Sequence, residues 1–143
     1  FDGLTGRIGY TYTDARFESY ATEDGAFDGN RVPGVAPFRF DAALTYRGSQ
    51  GWFVGVDYRR VSRIPVNDAN SAFSPRYQVA DLRAGLERLR LGSVSLAPFA
   101  AVTNVFDAEY NTSVTVNAFG NRYFEPAPSR GFQVGARVAF GTP

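Results

Sequence analysis

Ionisable residues at alternate positions of several short segments are the first candidates for chemistry in this chain. Arg39 and Asp41 stand two residues apart, as do Asp57 and Arg59, and Asp81 and Arg83, with Glu87 and Arg137 further along. What such a set can do is pair charge, because a guanidinium forks two N–H donors onto a carboxylate. It is poorly equipped to make or break bonds. The 143 residues contain neither Cys nor His, which removes a thiolate nucleophile, a zinc-finger-type site and a Ser-His-Asp triad. No catalytic residue, metal site or cofactor is expected, and the chain does not read as an enzyme.

A second group of candidates lies in Gly-, Asn- and Pro-rich tracts. Arg31, Arg76, Asn121, Arg122 and Tyr123 could hold an anionic chelate by charge-assisted hydrogen bonds and stacking. Glu23, Asp24, Asp28, Asn67, Asp68, Asn70 and Asn117 lie in the same tracts, where turn chemistry and solvation are the plainer reading. The carboxylates at 23, 24 and 28 match no EF-hand spacing.

The elements that must position these residues read as strands. The chain has 15 Gly, 8 Pro, 8 Tyr and 13 Phe, a composition that disfavours long helices. Its 15 basic residues, all Arg, and 14 acids leave a net charge of +1, which gives no electrostatic case for nucleic acid. No apolar run reaches eighteen residues, so no transmembrane helix is expected. A transmembrane strand needs only about ten alternating residues.

Six such segments are predicted: Leu4 to Phe17, Pro37 to Arg47, Trp52 to Ser62, Tyr77 to Arg90, Val94 to Phe106 and Phe132 to Phe140. The second is the cleanest, with Phe38, Phe40, Ala42, Leu44 and Tyr46 opposite Arg39, Asp41, Ala43, Thr45 and Arg47. The fifth is ambiguous in phase, because Pro98 interrupts it; Leu96, Ala100 and Val102 are placed outward. In the sixth, Phe132, Val134, Ala136, Val138 and Phe140 alternate with Gln133, Gly135, Arg137 and Ala139.

The connections run long, short, long, short, long, with tight turns at Gly48 to Gly51 and near Leu91 to Ser93. That is the rhythm of an antiparallel up-and-down transmembrane β-barrel, with outer loops on one rim and periplasmic turns on the other. Tyr46 and Trp52 then fall at the periplasmic ends, and Tyr12, Phe38, Phe40 and Tyr58 at the outer ends, as two aromatic girdles require. Phe140 would mark the periplasmic rim. The eight strand-borne charges, Arg39, Asp41, Asp57, Arg59, Asp81, Arg83, Glu87 and Arg137, all fall opposite the apolar stripe. An Arg turned to lipid at the midplane would cost about 2–4 kcal/mol, so the parity is strongly set. A soluble antiparallel sheet with one face on a core shows the same alternation.

The motifs add to the periods. Tyr10-Thr11-Tyr12-Thr13-Asp14-Ala15-Arg16-Phe17 precedes Gly29-Asn30-Arg31-Val32-Pro33-Gly34-Val35-Ala36-Pro37. Asp81-Leu82-Arg83 follows, then Asn104-Val105-Phe106-Asp107 with Tyr110, then Gly120-Asn121-Arg122-Tyr123-Phe124 with Pro126, Pro128 and Arg130. In this order the set resembles the C-terminal part of the barrel of TonB-dependent outer-membrane receptors. Val105 stands where that family usually carries Leu, and Gly141-Thr142-Pro143 trail the terminal aromatic.

The resemblance implies a 22-strand-type barrel around an N-terminal plug, energised through a short N-terminal box by a TonB-type protein. Residues 1–143 would supply about six strands of the C-terminal barrel, with the plug domain absent. The chain starts at Phe1 and has no Met, so it is expected to be a processed product or a piece of something longer. Partners implied are outer-membrane lipid, the remaining strands and plug, the energy-transducing protein and the barrel-assembly machinery. The location implied is the bacterial outer membrane, and the function active uptake of a ferric siderophore or similar large scarce nutrient. The lumen-facing charges would then dock the plug or form a solvated wall. A small passive or structural outer-membrane barrel and a soluble lipocalin-like binding barrel are the alternatives.

Overall fold

The computed structural model describes residues 3–140. Six long strands dominate: β1 (Leu4–Tyr12), β2 (Phe38–Arg47), β3 (Trp52–Val61), β4 (Tyr77–Leu86), β5 (Val94–Thr103) and β6 (Gly131–Phe140). They lie in one sheet in sequence order, each antiparallel to the next. Among the described residues β1 and β6 have no second neighbour in the sheet. The sheet is therefore an open, up-and-down section of wall with two free edges. The segment Gly141-Thr142-Pro143 lies outside the described residues.

Register sets the faces. Ile8, Ala42 and Tyr58 stand abreast, as do Gly6, Leu44 and Val56. On β5, Ala100 faces Ala84 and Val102 faces Leu82, while β6 sets Val134 against Ala100 and Val138 against Leu96. The fifth strand thus takes the phase expected of it, with Leu96, Ala100 and Val102 on the apolar face. That face is bare: Ile8 is 76% exposed and Val134 86%. So large an uncovered apolar surface is unlike a water-soluble monomer.

Three boundaries differ from the pattern reading. β1 stops at Tyr12 rather than Phe17. Beyond it Thr13, Phe17 and Val32 still make backbone bonds to Pro37, Asn30 and Ala15, but Pro33 and Pro37 lack N–H groups and the ladder frays. The fourth segment breaks after Leu86, and a short strand Leu89–Leu91 resumes pairing with β5. Between the pairs Phe99↔Gly85 and Leu96↔Leu89, one strand advances a residue further than the other, a bulge opposite Pro98, which has no N–H to offer. The fifth segment closes at Thr103, because Asn104 turns into the left-handed region at φ 50°.

The short turn between β2 and β3 is built on two glycines. Gly51 sits at φ 77°, and a side chain on Gly48 would collide with the indole of Trp52, which lies across it. The long connections hold small ribbons: Ala21–Thr22 with Gly25–Ala26, Ile64–Pro65 with Phe73–Ser74, and Asn111–Val114 with Phe124–Pro126. The deepest burial is at this end of the sheet. Val66, Pro65 and Ser74 are fully enclosed, with Val61, Val79, Tyr123 and Asn104 close to it. What core there is lies where the loops meet the strand ends that carry Val61, Val79 and Ala80.

Candidate functional site

The polar face is ordered as rows across the strands. Arg39 donates from Nε to Asp41 Oδ2 at 2.6 Å, and Arg59 Nε donates to Asp41 Oδ1 at 3.0 Å. One carboxylate thus holds two guanidiniums on neighbouring strands. Asp57 and Asp81 stand directly opposite each other on β3 and β4, a like-charged pair that needs cations near it. Arg7 of β1 and Arg59 supply them, lining one small recess with Asp41, Asp57, Asp81 and Tyr110. Arg47 Nε donates to Glu87 Oε1 at 2.8 Å, clasping the ends of the two hairpins at the short-turn rim.

Other members of the set are tied to the scaffold. Asp81 Oδ1 accepts the backbone N–H of Asn104 at 2.8 Å, fixing the chain where it leaves β5. Arg83 lies over Gly55, where an added Cβ would stand 3.0 Å from its Nε. Next toward the short turns, Phe53, Gly85, Phe99 and Gly135 face one another in sequence across four strands. The two rings lie against the two glycines. Arg137 faces Ala97 and lines, with Arg47, Arg83, Glu87 and Gln133, an open hollow of about 970 Å³ on this face.

The aromatic residues fall at two levels of the apolar face. Tyr10 meets Phe38 edge-on at 5.2 Å, Phe40 meets Tyr58 at 6.2 Å, and Tyr12 lies opposite Phe38. At the other rim Tyr46 and Trp52 rings stand 5.2 Å apart, and Phe140 faces Val94. From Phe38 to Tyr46 is eight residues along β2. At about 3.4 Å per residue that is roughly 27 Å along the strand, comparable before tilt with the ~25 Å apolar band of outer-membrane barrels.

The loop candidates do not converge. Arg31 is held at its backbone by Asn70 and lies 3.4 Å from Asp14, which also takes Arg16 at 3.0 Å. Tyr123, expected to meet a ligand, is instead buried, its hydroxyl donating to Asn121 at 2.8 Å. A residue 8% exposed belongs to the interior of its loop. Arg122 is exposed, while Arg76 lies at the strand rim beside Arg60 and Arg63. Asp68, Asn70 and Asn117 stitch loops together, Asn117 Nδ2 donating to Asp68 Oδ2 at 2.8 Å, while Asn67 Oδ1 accepts the Ser71 N–H within its own loop. Asp28 accepts the Tyr20 N–H, and among the described residues no three acidic side chains gather as a metal site.

Pattern reading missed four residues. Arg7 follows from the parity of β1, and Arg60 from that of β3, which places it on the apolar face at the outer rim. Tyr110 stacks on Tyr77 at 4.6 Å, bringing the last loop over the polar face. Phe119, at a loop tip between Asn117 and Asn121, is 98% exposed. Its only advance signal is an aromatic flanked by turn formers.

The Asn104-Val105-Phe106-Asp107 motif has a clear local logic. Asn104 is buried, its amide donating to the Ala108 carbonyl and its Oδ1 accepting the Ala108 N–H, both at 2.9 Å. Asp107 Oδ1 accepts the Arg130 N–H at 2.8 Å and its other oxygen meets the Arg130 guanidinium at 3.3 Å. These contacts, the backbone N–H first, hold the Asp107 carboxyl below the usual carboxylate range.

A family model described as TonB dependent receptor-like, beta-barrel matches residues 1–105. Among solved structures the chain is similar to the siderophore receptor PiuA from Acinetobacter baumannii, with a TM-score of 0.78 at 20% identity over 96% of this chain and 20% of that one. It is also similar to BauA, the ferric preacinetobactin receptor of A. baumannii, with a TM-score of 0.75 at 16% identity over 98% and 20%. The ferric-catecholate import receptor Fiu from E. coli K12 matches with a TM-score of 0.72 at 24% identity over 95% and 19%. The chain spans about one fifth of the length of each of these structures. Barrels of this family are outer-membrane transport receptors, and the chain belongs to the TonB-dependent receptor-like β-barrel family.

Proposed function

We propose that this chain is a C-terminal section of the barrel wall, with its outer loops, of an outer-membrane receptor that takes up a ferric siderophore by energy-dependent transport. The single observation that carries the reading is the segregation of charge. Among the described residues every Arg and Asp side chain on β1 to β6 lies on the polar face except Arg60, and Arg60 stands at the rim. A wall between lipid and a plug-filled lumen needs that arrangement. The Asp41 and Asp57 rows and the hollow near Arg137 would face the plug. The remaining strands would pair with the free edges of β1 and β6, and assembly machinery would read the end of β6. The energy-transducing protein would act elsewhere on the full-length receptor.

The test is iron uptake by cells that express the full-length protein carrying this segment. Labelled ferric siderophores should accumulate only when the energy-transducing protein is present, and the receptor should fractionate with the outer membrane. A full-length protein that purifies without detergent, or uptake indifferent to the transducer, would overturn the proposal.

A further inference from the structure

Arg60, the one charge on the apolar face among the described residues of the six strands, does not stand alone. Arg60, Arg63 and Arg76 line a single shallow cavity of about 580 Å³ with Phe38 and Phe73, at the long-loop end of the sheet. None of the six ion pairs among the described residues involves any of the three. The Arg63 guanidinium lies 4.5 Å from the centre of the Phe73 ring, and all three arginines are exposed. Cations gathered without carboxylates attract an anion with several acceptor oxygens, and guanidiniums suit phosphate in particular.

Beneath this cluster the same face carries an apolar groove of about 490 Å³. Gly6, Ile8, Ala42, Leu44, Val56 and Tyr58 line it, and Arg7 and Ala43 also border it. The hollow arises where Gly6 and Ala42 interrupt larger neighbours. Tyr58, which lines the groove, stands two residues from Arg60 on the same face of β3 and donates its hydroxyl to Gln78 at 3.1 Å. A cationic head site above a dry trough on one surface fits an amphiphile with a phosphate head and an acyl tail.

We propose that Arg60, Arg63 and Arg76, with the groove under them, form a binding site for a phosphorylated lipid of the outer leaflet on the membrane face of this wall. The phosphate rests on the guanidiniums at the interface, where long Arg side chains reach polar surroundings from an apolar face. One acyl chain lies over Gly6 and Ala42. The site rests on the reading of this sheet as a membrane wall, and it is separate from any site for the transported ligand.

The experiment uses the full-length protein, purified in detergent and exposed to equal amounts of dioleoyl phosphatidic acid and dioleoyl phosphatidylcholine, with retained lipid counted by native mass spectrometry. The wild type should retain phosphatidic acid in preference by roughly tenfold or more, and the triple variant Arg60→Gln, Arg63→Gln, Arg76→Gln should lose that preference. Ala42→Trp should abolish the advantage of dioleoyl over dihexanoyl phosphatidic acid while leaving headgroup preference in place. Equal retention of both headgroups by the wild type, or a preference that survives in the triple variant, would overturn the lipid site. A chain-length advantage that survives Ala42→Trp would overturn the groove as the seat of the tail. Heat-modifiable migration of the same sample reports the folded barrel separately. A folded, detergent-dependent barrel without lipid preference sinks only the lipid site, and a protein that needs no detergent sinks the membrane reading itself.

Discussion

Asn70 holds Arg31 by its backbone from both sides. The Arg31 N–H donates to Asn70 Oδ1 at 2.8 Å and Asn70 Nδ2 donates back to the Arg31 carbonyl at 2.9 Å, across 39 residues of sequence. Asn70 sits at φ 52°, a left-handed conformation that Asn tolerates better than most residues. The ribbon around it is the hub of the outer end: Gly34 N–H donates to the Pro65 carbonyl and Asn117 N–H to the Val66 carbonyl. Three loops distant in sequence are thereby stitched into one cap. Residues that composition marks as ligand contacts serve here to set the shape of the surface that a ligand would meet.

Replacing Asn70 by Ala should therefore loosen the first loop without unfolding the wall. It leaves the Arg31 N–H and carbonyl without partners in a half-buried place, at a local cost of about 1–3 kcal/mol. Hydrogen exchange on the full-length protein should quicken around Arg31 and in the loop after β1, while exchange in β2 to β4 stays slow. Uniformly faster exchange throughout the sheet would show that the clamp is not local.

The Asp41 pairs should contribute little stability despite short distances. The side chains of Arg39 and Arg59 are each 48% exposed and that of Asp41 39%, so solvent screens both contacts. A double-mutant cycle on Arg39 and Asp41 in the assembled protein should give a coupling of about 0.2–1 kcal/mol if the row is a solvated wall. A coupling of several kcal/mol would mean that the pair is covered and dried in the assembled protein, as the proposed plug would do.

Two glycines of the aromatic row should differ in tolerance. A Cβ on Gly85 would sit 2.5 Å from the Pro98 carbonyl oxygen, which is backbone and cannot swing away. On Gly135 the nearest atoms belong to the Phe99 ring, which can. Gly85→Ala should cost about 1–3 kcal/mol, and Gly135→Ala distinctly less, in thermal unfolding of the detergent-solubilised protein. The reverse order would contradict this packing.

What the sequence made legible follows from range. Strands of period two declare their faces within ten residues, so β2 and β3 could be read almost to the residue, and even the interrupted β5 took its expected phase. The bulge opposite Pro98 was not readable, because a missing N–H shows its effect only on the partner strand. Least legible was the cap. Its bonds join residues 38 to 49 positions apart, and whether an Asn there faces ligand or a neighbouring loop depends on which loops meet. Tyr123 illustrates the error: an aromatic in a loop reads as a surface contact until another loop covers it.

Phe119 is the reverse case. A phenyl ring 98% exposed at a loop tip gains nothing from burial in this structure and is free to serve as an aromatic anchor. On the proposed function, Phe119→Ala should weaken binding of the ferric siderophore by about tenfold, in line with an aromatic anchor worth more than about 1 kcal/mol. Thermal stability should not change, since the ring packs on nothing. Unaltered affinity, measured by titration of the purified receptor, would remove Phe119 from the ligand surface.

The Asp107 to Arg130 contact gives the last loop a pH dependence with a definite sign. The carboxyl binds its proton less readily in the folded loop than in an unfolded chain, because the Arg130 N–H and guanidinium favour the charged form. Its contribution to holding the loop is therefore complete above the ordinary Asp value of about 3.9, and is lost as pH falls through the lower folded value. Hydrogen exchange at the Arg130 amide should accelerate relative to intrinsic rates only below about pH 4. In Asp107→Asn that acceleration should already be present at neutral pH and should show no acid step. An acid step that persists in Asp107→Asn would assign the titration to another carboxylate.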